Sequence, residues 1–392
     1  MNWQYRHAVL SLCTLAFFVT YFARLAISPV VPFVVAEFGV SNTAIGVALS
    51  GMWLAYGVSQ FPSGILADRY GERRVILVAV GGTTAASVLL AFAPAFPAFV
   101  AAAALLGLVA GLHYAVATAL LSRTFDDLGT AVGLHSVGGP LAGLVAPVAA
   151  AWVGVRYGWR PAVALAAFVG VPVFVLFARY VRPTEPRRPD QPIRERLRLG
   201  PLVELLSRPA ILLPLAVAMI GTYAVQGLMS FLPTFLIESR GYSPGTAGAA
   251  FSAFFLVRTG GQVAVGRLSD RLGRDVAIGA AMLAGAVGMA ALVAPLRGGR
   301  PLVAVAVLLA GVGSSFFSAV DPRFMDALGD AERGAGFGLV RTAYTVVGAA
   351  GSVGVGLAAD LFGWGVSFAS LGTLFAGAFA LLAANALLGT GY

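Results

Sequence analysis

The chain has 392 residues, 59% of them hydrophobic and only 11% charged, with mean hydropathy +0.87. A soluble domain carries about 25% charged residues, so this composition excludes an ordinary water-borne globule. The formal net charge of +9 arises from 26 basic residues, all arginine; without lysine there is no P-loop, whose Gly-rich turn ends in Lys, and ATP hydrolysis is excluded.

A membrane-spanning helix needs about 20 predominantly apolar residues. In chain order, twelve runs reach that length: 9–33, 43–66, 74–93, 98–121, 131–154, 161–181, 209–236, 245–267, 275–295, 301–324, 334–358 and 364–388. They lack the period-2 alternation of strands, and Gly, Pro and Arg punctuate the breaks. The opening "MNWQYRH" is too short and too weakly basic for a signal n-region, and its apolar run outlasts an h-region, so it begins the first span. With the N-terminus inside, the cytoplasmic loops hold 15 arginines and the outer loops 5. The positive-inside rule then places both termini in the cytoplasm. The basic balance is therefore a topology signal, and no nucleic-acid partner is implied. The reading is an all-α protein, multi-pass in the cytoplasmic membrane, surrounded by the lipid bilayer and acting as a monomer. One cysteine, Cys13, excludes an internal disulfide, and three histidines beside it give no metal-ligand pattern. No cofactor is expected.

The chain repeats itself at an offset of 202 positions. "TYFARLAIS" (Thr20 to Ser28) lies over "TYAVQGLMS" (Thr222 to Ser230), and "QFPSGILADRYG" from Gln60 over "QVAVGRLSDRLG" from Gln262. Spans 1–6 and 7–12 are thus two copies of one bundle, predicting six-helix domains over 1–181 and 209–392 joined by the charged, Pro-rich linker 182–208. Parallel repeats of this kind are a recognised transporter arrangement, in which two halves rock about a midplane site.

The loop "GILADRYGERR" between spans 2 and 3, echoed by "GRLSDRLGRD" between spans 8 and 9, resembles the signature of the major facilitator superfamily. That resemblance covers the whole chain and implies twelve transmembrane helices in two pseudo-symmetric six-helix bundles, working as a secondary transporter by alternating access. It further implies a cytoplasmic gate built from Gly64, Asp68, Arg69, Gly71, Arg73 and Arg74, with Gly266, Asp270, Arg271 and Gly273 in the second copy. Asp68 would face the start of the helix near residue 334, where a carboxylate is favoured by the helix dipole by roughly 0.3–1 kcal/mol. Asp321 with Arg323 reads as a gate salt bridge, and Arg341, about two turns into span 11, as a gate or snorkelling residue.

An ionisable side chain inside a span costs about 2.5–3.5 kcal/mol on insertion scales and marks a functional candidate. The deep set is Arg24, His113, His135, Arg258 and Arg341, whereas Glu37, Asp126, Asp127, Glu238 and Asp360 fall in or beside loops. Basic groups without compensating acid favour an anionic small molecule. Arg24 leads, on one helix face with Tyr21 and Ser28. Its repeat partner is Gln226 and that of Tyr21 is Tyr223, while Arg258 takes the place of Tyr56. Arg24, Tyr21, Tyr223, Gln226 and Arg258, with His113 and His135, form the predicted substrate site. "YFARLAISPVVPFVVAEFGVS" is similar to the organic-anion branches of the superfamily, and "HSVGG" to the span-5 histidine motif of its organophosphate group. The coupling ion implied is a proton. Two departures stand: the organophosphate group has a second arginine where this chain has Gln226, and many anion:cation symporters have an acid where it has Ala23. A competing resemblance, "GPLAG" from Gly139, points to proton-coupled drug exporters, although cation exporters usually hold an intramembrane acid. An intramembrane hydrolase built on Ser136 or Ser122 lacks a nucleophile–base–acid pattern.

Overall fold

The computed structural model describes residues 3–187, 205–294, 299–329 and 333–388, and among these every regular element is helical. The linker predicted at 182–208 therefore lies mostly outside the described residues. In order, the first half contains α1 (Trp3–Leu25), a 3₁₀ turn (Ser28–Val30), α2 (Val31–Phe38), α3 (Asn42–Tyr70), α4 (Glu72–Ala91), α5 (Phe96–Ala110), α6 (His113–Ser122), α7 (Leu128–Ser136), α8 (Gly138–Tyr157) and α9 (Trp159–Tyr180). The second half contains α10 (Pro209–Glu238), α11 (Pro244–Leu272), α12 (Arg274–Val293), α13 (Gly299–Gly313), α14 (Phe317–Ala327) and α15 (Arg333–Leu388).

Ten segments are long and apolar enough to cross a membrane, and Gly336–Leu388 counts once among them. Gly363, at φ +81°, divides that segment into two helices. The 29-residue α11 supplies the remaining span, its average polarity raised by Arg258, Arg267, Asp270 and Arg271. Several spans are built from two helices in series: α5 stops at Gly111 and restarts at His113, α7 yields to α8 at Val137, and α13 yields to α14 at 314–316.

Backbone contacts divide the chain into two compact units: 1–40 with 47–197, and 41–46 with 198–392. In the first unit α1 packs on α8 and α9, and α4 on α5 and α9. In the second, α10 packs on α15, and α12 on α13 and α15, so the packing repeats with the sequence. Ser41–Gly46 precedes or opens α3 yet groups with the second unit. There Asp360 accepts four hydrogen bonds, from the Asn42 amide (3.1 Å) and Nδ2 (3.0 Å) and from the Thr43 amide (2.7 Å) and Oγ1 (2.6 Å).

The tight corners are glycine-dependent. Gly71 (φ +86°) and Gly273 (φ +95°) each join two long helices in a conformation that L side chains rarely adopt. Each unit also closes a later corner with a Trp–Glu clasp. Trp159 donates its indole N–H to Glu37 at 2.6 Å, and Trp364 donates to Glu238 at 2.7 Å. Neither clasp follows from hydropathy alone, because its partners lie more than a hundred residues apart.

Candidate functional site

Helical spacing sets Phe17, Tyr21 and Arg24 along one face of α1. Arg24 is buried at 3% exposure. Its Nε donates to the Thr20 carbonyl at 3.1 Å, while Nη1 and Nη2 have no hydrogen-bond partner among the described residues. Three rings surround the guanidinium: Tyr56 at 3.9 Å, Tyr21 at 4.8 Å and Trp53 at 5.1 Å from its carbon. Trp53 and Tyr56 stand one turn apart on α3 and meet edge to face. Stacking satisfies the faces of the guanidinium and leaves its in-plane N–H donors for a planar, bidentate acceptor. No carboxylate takes that position among the described residues.

Farther along the same face lies an aromatic and imidazole cluster. Phe17 touches Tyr21, His113, Tyr114 and His135, at centroid distances of 5.5, 6.0, 5.2 and 5.3 Å. The two imidazoles are 5.5 Å apart and exposed by 1% and 0%; among the described residues their four ring nitrogens make no hydrogen bond, and the Cys13 backbone comes near both rings. Tyr114 stacks on His135, and its hydroxyl meets Ser136 Oγ at 3.1 Å. The predicted site residues of the first half thus form two adjacent groups on α1, one around Arg24 and one around the histidines.

In the second unit, Gln226 is buried on α10, and Tyr223 packs its hydroxyl over Gly354 of α15, where even an added methyl would collide. Arg258 lies half-buried on α11, with Nη1 3.6 Å from Met229 Sδ and its carbon about equally far from Phe255 and Phe317, at 6.0 and 5.8 Å. Ser315, on the break before α14, donates to the Arg258 carbonyl at 3.0 Å.

The motif residues divide by function in the packing. Gly64 and Gly266 sit within the last turns of α3 and α11. Asp68 and Arg69 close α3, and the Arg69 guanidinium lies 5.5 Å from the Tyr70 ring. The partner expected for Asp68 near 334 falls where side chains lie outside the described residues. Arg73 caps the end of α9, donating to the Val181 carbonyl at 2.7 Å and the Ala178 carbonyl at 2.5 Å, whereas Arg74 is exposed. In the second copy Arg271 is exposed, and Arg274 bridges Asp270 (2.7 Å) and Asp326 (3.0 Å). The salt bridge expected between Asp321 and Arg323 is not formed. Arg323 reaches Asp275 at 3.1 Å, while Asp321 accepts from the Tyr344 hydroxyl at 3.0 Å beside Arg341. Residues two apart on a helix point to different sides, which separates the two.

Three side chains escaped the sequence reading. Trp53 and Tyr56 carried a usable signal, an aromatic pair at i, i+3 within a span. Glu72 lay hidden inside the charged loop, yet it is 1% exposed and binds Arg123 Nε at 2.8 Å, with Arg187 Nε at 3.8 Å.

A family model described as "Major Facilitator Superfamily" matches residues 13–245 and 217–388. The chain belongs to the major facilitator superfamily. It is accordingly a multi-pass membrane transporter and not an enzyme, with the all-α, twelve-helix fold that the repeat implied. Among its relatives, a hexuronate transporter of Bacillus subtilis is 24% identical over 326 residues, spanning 78% of this chain and 77% of the relative. A probable sulfoacetate transporter of Cupriavidus necator is 24% identical over 325 residues (78% and 75%). A multidrug resistance protein, MdtG, of Escherichia fergusonii is 27% identical over 298 residues (72% and 70%). The fold superposes on a bacterial homolog of the human lysosomal transporter Spinster with TM-score 0.82 at 15% identity, covering 97% of both chains. It superposes on a D-xylose–proton symporter with TM-score 0.78 at 16% identity, covering 96% of this chain and 97% of the other.

Proposed function

We propose that this superfamily member moves a small organic anion, bearing a carboxylate or a similar planar acceptor, across the cytoplasmic membrane by alternating access in symport with protons. Both termini are cytoplasmic in this reading, residues 182–208 link the two halves, and the protein works as a monomer. One observation carries the proposal: a buried guanidinium clamped between three rings, with both terminal nitrogens lacking a protein partner. A buried cation of this kind is costly until an anion pairs with it. The names of the hexuronate and sulfoacetate relatives support the same substrate class. Tyr21, Tyr223, Gln226 and Arg258 orient the cargo in this reading.

Proton-coupled drug efflux is the second reading, supported by the multidrug relative and by Asp321 within a span. One experiment separates the two. Purified protein is tested by calorimetry against D-glucuronate, sulfoacetate, a sugar phosphate and a lipophilic cation. Arg24→Gln should lose about 1.5–3 kcal/mol of anion binding, roughly 10–150-fold. Arg24→Lys should also fail, since an ammonium cannot make the planar two-point contact. Unchanged anion affinity in Arg24→Gln, or a preference for the lipophilic cation, sinks the anion reading.

A further inference from the structure

The histidine cluster has features that cargo binding does not require. Both imidazoles stand at interruptions of their spans: His113 opens α6 after the break at Gly111, and His135 lies in the last turn of α7 before the break at Val137. Interrupted helices in transporters mark the places where ions are held. Among the described residues no side chain bonds any of the four ring nitrogens, and the Cys13 carbonyl approaches both rings. At a centroid separation of 5.5 Å, nitrogens turned toward each other come to hydrogen-bond distance. The rings do not hydrogen-bond each other as they stand, so a proton passes between them only when a ring turns.

The surroundings complete the case. The titratable groups around the pair are Cys13, Tyr21 and Arg24 from α1 and Tyr114 from α6; from α3 only the Tyr56 carbonyl and the Ser59 hydroxyl come up to Gly111, and from α8 Gly138 and Gly139 meet Phe17 and its neighbours. No acid belongs to this group, and Arg24 is its one permanent charge. Phe17, which touches both imidazoles, lies seven residues from Arg24, roughly 10 Å of helix rise. A second positive charge repels a proton on a nearby imidazole, and Arg24 acts in this way on His113. The partly exposed Tyr114–Ser136 hydroxyl pair lies beside His135 as a relay toward water.

We propose that His113 and His135 form the proton-binding site of the transport cycle, and that an anion on Arg24 permits its loading. This rests on the reading that Arg24 holds the anion. Loading forms one N–H bond from an imidazole lone pair and a solvent proton, and release on the other side reverses it. The empty carrier keeps Arg24 charged and the pair neutral. The loaded carrier holds anion and proton together, so neither crosses alone.

The chain has three histidines, so histidine ¹³C NMR of the full protein gives three signals, with His7 assigned by His7→Gln. Wild type and variants are titrated from about pH 8 down to the lowest pH at which the full protein stays folded. In Arg24→Gln the His113 signal should titrate higher than in wild type, because a repelling charge has been removed. Arg24→Lys should leave it in place, and Arg24→Met, which keeps the aliphatic stem, serves if Gln is not tolerated. Histidines that do not move between wild type and the charge-removed variants overturn the proposal. Calorimetry with D-glucuronate on the same samples separates the two ideas. Lost glucuronate affinity with unmoved histidines keeps the anion reading and overturns the proton site. Moved histidines with unchanged glucuronate affinity keep the proton site and overturn the anion reading.

Discussion

The Glu72–Arg123 pair yields a prediction whose asymmetry can be worked from the packing. The Glu72 side chain is 2% exposed and that of Arg123 is 28% exposed, at a separation of 2.8 Å. Breaking a buried pair costs about 3–5 kcal/mol because one charge stays behind without its partner. Which charge stays behind therefore decides the size. In Arg123→Met, the carboxylate remains enclosed, with Arg187 at 3.8 Å and 48% exposed as a weak substitute. That variant should lose about 3–4 kcal/mol. In Glu72→Gln, the guanidinium still reaches water, so the loss should fall to about 1–2 kcal/mol. The double variant should recover most of the larger loss, because the stranded charge is gone. The assay is reversible chemical unfolding in micelles, read as a double-mutant cycle for its coupling energy. Raising salt from 0.15 to about 1 M should change little, since buried pairs are poorly screened. Equal single losses that simply add would refute the idea that burial of Glu72 governs this loop.

Two further outcomes follow from the corners and from the start of α3. Gly71→Ala should cost more stability than Gly273→Ala, since both carry positive φ but only at Gly71 would the new methyl lie 2.4 Å from the Thr184 carbonyl; the strain common to both is about 1–3 kcal/mol, and thermal unfolding ranks them. Asp360→Ala removes an acceptor of four hydrogen bonds at an exposed site, so hydrogen exchange at the Asn42 and Thr43 amides should accelerate by roughly tenfold, a loss of about 1–2 kcal/mol; unchanged exchange at those two amides would show the cap to be inert.

The spans, the repeat and the rank of Arg24 were legible in the sequence for one reason: in lipid, length and charge are penalised so heavily that few patterns survive. Even the least apolar span, α11, was legible as the apolar run 245–267, and the repeat with α3 agrees with it. The neighbours of Arg24 were not legible. Trp53 and Tyr56 are as compatible with a lipid-facing stripe as with a cage, and only the packing of α3 on α1 distinguishes them. Glu72 sat in a run of charges whose ordinary fate is solvent, and its burial depends on the 4–5 loop folding over it. The error at Asp321 and Arg323 had a different source. Proximity in sequence stood in for proximity in space, where a helix turns the two side chains apart.

The aromatic cage also bears on how a carrier that holds an anion on Arg24, as proposed, can let go. A bare guanidinium at 3% exposure would hold its cargo too strongly to release it, and the empty carrier would be too unstable to return. Three rings alter that balance. Each cation–π contact stabilises the cation by about 0.5–2 kcal/mol, depending on its desolvation, and each is strongest when no anion shares the charge. They therefore lower the cost of the empty state more than that of the loaded one, and so weaken binding without blunting selectivity. The second unit follows a different course at the equivalent positions. It places neutral Gln226 where Arg24 stands and Arg258 where Tyr56 stands, with a methionine sulfur and two distant rings as its neighbours. Each half thus keeps one arginine deep within its first two spans, but only the first half sheathes it in three rings at 3.9–5.1 Å. On this argument Tyr56→Leu, which removes the nearest ring, should tighten anion binding while slowing turnover. Weaker binding in that variant would mean that the cage serves only to position Arg24.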